Sequence, residues 1–376
     1  MTHPRCNIKF DLRSLLQLLF ITLCGSSAIL FISFTITHSE PHDFGVYYYS
    51  AKTAITGGMI YDNYGPYNLP YWYFPWLAWF YIPFAYFSEE IAYALYIIIS
   101  LLCAFTTINY LAGKMVPHSN LPERLFIFCM ALILCWLLFR VGQMDFILLA
   151  TAVLMIYLID KGKPYFAGLL VPVLLFKPHL FIIFLPYALF KGKIWFFMSS
   201  MLASLVLLTI CFIVIPDWPL QMLRLLSESG QRTDNNWNFT TLPNMLGMQE
   251  NWSGTANLPI TFALILTSFA VIWKFRTLHT FSFLSLALAG SLFCAPRAYS
   301  YNLPILIPAM IWISSDLPKP LLLLFWLAAG TIPFLFRFSS GTYSIVLAVF
   351  IMVLLKAQKT ASEANLHPQI ANCKLQ

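Results

Sequence analysis

The sequence predicts an all-α polytopic membrane protein of about twelve transmembrane helices, and three features carry that reading. Hydrophobic residues make up 60% of the 376-residue chain against 10% charged, whereas soluble proteins carry about 25% charged residues. So few ionisable groups could not cover a water-facing shell. Apolar segments approaching the roughly 20 residues that cross a bilayer core recur along most of the chain. Lys and Arg fall in small groups between those segments, as topology signals do. A single integral membrane domain is expected over 1–356, followed by a cytoplasmic tail over 357–376.

The first span, 15–36, follows Arg5, Lys9 and Arg13. It is too long for a signal-peptide core and no small-residue cleavage pattern directly follows it, so a retained span is expected. A first outer loop, 37–90, comes next. Within it the stretch from His42 to Lys52 has helical character, with Ser39 or His42 as cap and Gly57-Gly58 as stop. The segment 71–87, YWYFPWLAWFYIPFAYF, is apolar enough to cross, but a crossing there would invert every later loop. Its Pro75, Pro83 and many Trp and Tyr residues suit an interfacial helix instead.

Further spans are expected at 91–113, 125–140, 145–160, 164–177, 180–190, 194–215, 258–273, 279–295, 302–315, 320–336 and 342–356, with a second outer loop at 216–257. Segments 164–177 and 180–190 are short for full crossings and suit half-helices or re-entrant pieces. Under this assignment fifteen of the 22 Lys and Arg residues share the face of the two termini, which makes that face cytoplasmic. No basic run of the kind that grips nucleic acid interrupts the pattern, so no nucleic-acid partner is expected. Of the eight cysteines, six lie in apolar segments and two in the tails. None has disulfide or zinc spacing, and no metal site is expected.

Ionisable residues on the outer side fall in a few clusters. Asp43 stands at the start of the first-loop helix, with Tyr47 and Ala54 near the same face. It could simply favour the helix N-terminus through the dipole. Three outer turns then hold Arg140-Val141-Gly142-Gln143-Met144-Asp145, Lys177-Pro178-His179, and Ala295-Pro296-Arg297-Ala298-Tyr299-Ser300-Tyr301-Asn302. Taken singly, Arg140 reads as a snorkelling side chain and Arg297 as an aromatic-belt anchor. Lys177, deep between apolar segments, is costly unless it meets a cavity or an anion. Together, one carboxylate and three cations point to an anionic substrate, with Lys177, Arg140 and Arg297 as phosphate ligands at headgroup depth. His42, Tyr47, Gln143, His179, Tyr299 and Tyr301 are the accompanying candidates for substrate contact. The second outer loop carries Trp218, Trp237, Trp252 and several Asn residues, which would suit either sugar rings or interfacial anchoring.

One ordered set of short motifs resembles glycosyltransferase family 87. Asp43-Phe44 is followed by tyrosines and Ala, then come Gly57-Gly58-Met59-Ile60-Tyr61, Tyr73-Phe74-Pro75, Gly142-Gln143, Phe176-Lys177-Pro178 and finally Ala295-Pro296-Arg297-Ala298-Tyr299-Ser300-Tyr301. The resemblance runs from about residue 40 to 305. It implies a GT-C-like body with interfacial helices and a catalytic acidic residue in the first outer loop, a position that Asp43 occupies. It also implies a polyprenyl-phosphate sugar donor, mannose as the expected hexose, a lipid or glycan acceptor, and a bacterial inner or plasma membrane with the active site on its outer face. The sequence departs from the pattern at Met144-Asp145, where the family more often has an amide, and at Phe74-Pro75-Trp76, where it usually has paired prolines.

The chemistry also fits the residues by themselves. Sugar transfer from a polyprenyl phosphate passes through an oxocarbenium-like state, and its phosphate leaving group is already a stable anion. Cations can take up that charge, leaving one base, Asp43, to remove the acceptor's hydroxyl proton. Attack opposite the phosphate predicts inversion at the anomeric carbon. A transporter or lipid-carrier flippase fits the same composition and the short spans at 164–190. Against it, no internal repeat relates the two halves and charges collect at the surface. A glycan polymerase or ligase would share the transfer chemistry.

Overall fold

The computed structural model describes residues 41–61, 65–116, 118–229, 257–295, 299–335 and 339–373, with scattered helical positions between 19 and 37. Every regular element among them is helical, as lipid demands of a chain whose backbone polar groups must pair within the segment. The expected first span is represented by those scattered positions alone, among them exposed Leu23, Leu30 and Phe34. The remainder of that span lies outside the described residues, as do 230–256 of the second outer loop.

The first-loop helix forms as α1 (His42–Ile55) and stops where Gly57 takes a left-handed φ of 72°. Segment 71–87 yields two short helices, α2 (Pro75–Phe80) and α3 (Ile82–Ala85), each with a proline in its first turn. Six residues rise only about 9 Å, so neither piece crosses a bilayer. Then follow α4 (Glu89–Met115), α5 (Leu121–Leu134), α6 (Trp136–Val141) and α7 (Asp145–Asp160). A capping box opens α5, with Asn120 accepting from the Glu123 amide and Glu123 reaching back. Segment 164–177 breaks into α8 (Pro164–Gly168) and α9 (Val171–Leu174), and a 3₁₀ turn follows at Pro178–Phe181. Next come α10 (Phe184–Val214), α11 (Trp218–Ser229), α12 (Asn257–Trp273) and α13 (Thr280–Cys294). A 3₁₀ turn at Ser300–Leu306 leads into α14 (Ile307–Ser314), α15 (Lys319–Leu335) and α16 (Ser339–Cys373).

Among the described residues, three helices are long and apolar enough to cross a membrane: α4, α10 and the Ile345–Glu363 part of α16. Shorter apolar helices occupy several of the other expected spans, so the described residues give three clear crossings of the expected dozen. Segments 125–140, 164–177 and 302–315 are interrupted, the second at Pro172, which starts α9, and the third at Pro304 within its 3₁₀ turn, because proline has no N–H with which to continue a preceding helix. Segments 180–190 and 194–215 join as α10, with a backbone reversal at Lys193 (φ 53°, ψ −148°) near their boundary. The helix of α16 runs on to Cys373, well past the expected start of the tail at 357.

Packing separates a lipid-like face from a core. Beyond Lys193, α10 exposes Ile194, Trp195, Met201, Leu205 and Ile213, and an apolar face without a protein partner suits hydrocarbon. By contrast α13 is buried almost all round, and its Ser, Ala and Gly residues allow close approach. At Gly290 an added Cβ would stand 2.2 Å from the Ile272 side chain. Ion pairs tie neighbouring elements together, Lys319–Glu123 at 2.8 Å and Lys356–Asp316 at 3.0 Å. Helix α7 begins at a polar cluster and ends where Asp160 accepts a hydrogen bond from Thr280.

Candidate functional site

That polar cluster forms the wall of a cavity of about 310 Å³. Five stretches far apart in sequence meet there: the start of α1, the run from Leu69 to Tyr73, the turn between α6 and α7, the residues Phe176 to His179, and the 3₁₀ turn that opens near Tyr299. Each is brought in by a local feature of the sequence. Gly142 adopts a left-handed φ of 79° and ends α6. A Cβ on it would lie 2.4 Å from the Phe44 side chain, so only glycine lets this turn sit against α1. The next residue, Gln143, is thereby aimed at Asp43, donating from Nε2 to Oδ2 at 2.6 Å. Its Oε1 accepts from the Tyr47 hydroxyl at 3.3 Å, and Tyr47 in turn lies 3.2 Å from the Tyr73 hydroxyl.

A second network backs the wall at Lys177 and Asn302. Asp145, fully buried at the first turn of α7, accepts from Lys177 Nζ at 2.7 Å with one oxygen and from Asn302 Nδ2 at 2.7 Å with the other. Asn302 also caps the 3₁₀ turn, its Oδ1 accepting from the Tyr299 amide at 2.8 Å. The Lys177 ammonium stands 4.8 Å from the centre of the Tyr301 ring, which stacks on Tyr299 at 4.9 Å. Two opposite charges buried side by side offset each other's desolvation. Asp145 thus accounts for how a lysine can sit this deep in an apolar body.

Burial pushes the Asp43 carboxyl above the usual carboxylate range, and the Asp145 charge adds to that rise. The Gln143 hydrogen bond, the Lys177 ammonium and His42 pull it back down. Burial also raises the Tyr47 and Tyr73 phenols, so both stay protonated as donors.

Of the residues singled out by sequence, Asp43, Tyr47, Gln143, Lys177, His179, Tyr299 and Tyr301 all line this cavity. His42 does not. It turns aside to meet the Tyr67 ring edge-on at 4.9 Å. Arg140 sits near the end of α6 and takes no part in the cavity wall, and Arg297 lies outside the described residues. Sequence reasoning passed over Asp145 as a partner of Lys177, and over Asn302, Trp72, Tyr73 and Phe176 in the wall. Asn302, Tyr73 and Phe176 belong to stretches already quoted, so membership of those motifs was the available signal. The ion pair had none, since 32 residues separate its members.

The sequence model of glycosyltransferase family 87 matches residues 71–298. The chain belongs to glycosyltransferase family 87. No curated protein and no solved structure matches it. The family region of this membrane glycosyltransferase contains Gln143, Asp145 and Lys177, while Asp43 lies ahead of it and Tyr299 to Asn302 behind. Folding is what adds those flanking residues to the cavity.

Proposed function

We propose that this glycosyltransferase moves a hexose, with mannose as the expected sugar, from a polyprenyl-phosphate donor to a lipid or glycan acceptor, inverting the anomeric carbon. The observation that carries the reading is the cavity that Asp43 and Lys177 both line, the carboxylate held by Gln143 and the ammonium by Asp145. Asp43 is the general base: it takes the acceptor's hydroxyl proton as the new C–O bond forms. Lys177 binds the donor phosphate, which departs with the electron pair of the broken anomeric C–O bond. Trp72, Tyr299 and Tyr301 offer flat aromatic faces of the kind a sugar ring rests on. His179 completes the phosphate side, and Tyr47 and Gln143 fix the base. His42, on α1 beside Asp43, acts from outside the wall by weakly favouring the charged carboxylate.

In this reading the body is GT-C-like, the helices α2 and α3 lie at the outer interface, and the loops rich in Lys and Arg face the cytoplasm. Arg297, two positions before Tyr299 in the sequence, is the further phosphate ligand of this reading. The membrane is a bacterial inner or plasma membrane, and the cavity opens on its outer face. The test is transfer by purified protein from an isoprenyl-phosphate mannose to extracted membrane glycolipids. Wild type should transfer and Asp43→Asn should not. Full turnover by Asp43→Asn would remove Asp43 from the mechanism. Ligand movement across vesicles without transfer would overturn the enzymatic reading in favour of transport.

A further inference from the structure

We infer that Asp145 makes the phosphate site discriminate by charge, holding the singly charged donor while easing the release of the doubly charged spent carrier. This rests on the reading of Lys177 as the donor-phosphate ligand. A sugar joined to a polyprenyl phosphate forms a phosphodiester with one negative charge. After transfer the carrier is a monoester, which carries nearly two negative charges above its second ionisation near pH 6, as phosphate monoesters generally do. A bare lysine would therefore bind product more tightly than substrate and stall the enzyme.

The geometry around Lys177 works against that outcome. Its ammonium is already shared with a fully buried carboxylate 2.7 Å away. Asp145 cannot swing aside, because its other oxygen is held by Asn302 at 2.7 Å, and Asn302 is itself tied to the Tyr299 backbone. A phosphate docking on that ammonium from the cavity feels the Asp145 charge just behind it. Coulomb repulsion scales with the product of charges, so the dianion is penalised about twice as much as the monoanion. Asp145 itself does not line the cavity, which makes it a positioning and charge-balancing residue rather than a catalytic one.

The experiment compares two probes that differ by one charge, a short-chain isoprenyl phosphate and its monomethyl ester, binding to purified full-length protein well above pH 6. Quenching of tryptophan fluorescence reads binding, since Trp72 lines the cavity. In Asp145→Asn, which keeps the shape and removes the charge, the ratio of the monoester Kd to the diester Kd should fall about tenfold for a charge at this distance. Asp145→Glu should keep the wild-type ratio. If Asp145→Asn does not fold, Asn302→Asp, which adds a negative charge to the same network, should move the ratio the opposite way. An unchanged ratio in a folded charge variant overturns the inference while leaving the transfer reading intact. If wild type binds neither probe, the phosphate role of Lys177 itself fails, and the charge discrimination with it.

Discussion

The Gln143 amide donates to the Asp43 carboxylate across 2.6 Å, joining residues a hundred positions apart. The hydrogen bond orients the base and also sets its proton affinity, because it lowers a pKa that burial raises. A general base works only when deprotonated. The acid limb of the pH profile of kcat/KM should therefore lie above the ordinary carboxylate range. In Gln143→Leu the limb should move to still higher pH, since one stabiliser of the charged form is gone. A limb that stays in place would separate Asp43 from the observed titration.

Gly142→Ala should be more damaging than a methyl group suggests. Left-handed backbone costs a non-glycine residue about 1–2 kcal/mol, and the added Cβ would also overlap Phe44. The expected result is a lowered thermal unfolding midpoint in detergent together with a large loss of transfer, because the turn no longer presents Gln143 to Asp43. Midpoint and turnover at wild-type levels would count against the turn's importance.

Removing Lys177 should cost stability as well as donor affinity. Lys177→Met leaves the Asp145 charge buried without its ammonium, and breaking a buried pair in this way costs about 3–5 kcal/mol. The double variant Asp145→Asn with Lys177→Met should recover much of that stability and none of the donor binding. Denaturation in detergent and donor KM, measured on wild type and both variants, separate the two effects. Recovered donor binding in the double variant would argue against a phosphate role.

Glu89 accepts from Tyr67 at 2.6 Å and from Tyr49 at 2.7 Å, fastening the stretch that leads into Leu69 and Pro70 of the cavity wall. Gly45 lies directly under the Tyr67 ring, where a Cβ would come within 2.2 Å. Glu89→Ala and Gly45→Ala should both loosen this wall. The expected effect is a several-fold rise in donor KM with a smaller change in kcat, read by steady-state kinetics. A fall confined to kcat would instead place the effect on the base.

Much of this protein was legible in the linear sequence. Hydropathy alone gave helices in lipid, since no other open backbone arrangement tolerates hydrocarbon, and a polar start with Gly57-Gly58 behind it located α1 to within a few residues. The ordered motifs pointed to the family later matched over 71–298. Residue type picked out Asp43 and Lys177, because carboxylates and lysines are costly beside apolar segments.

The tertiary structure decided the rest, for reasons that sequence distance hides. Whether an expected span stays continuous depends on how neighbours satisfy the groups freed at Pro172 and Pro304, and that is a matter of packing. Whether Lys177 is a solitary cation or half of a pair depends on α7 lying beside the 176–179 segment, so that Asp145 reaches it. His42 and Tyr47 stand on the same first-loop helix, yet one meets Tyr67 and the other lines the cavity. Composition and periodicity determine which side chains must avoid lipid. Only the assembled helices determine which of them find one another.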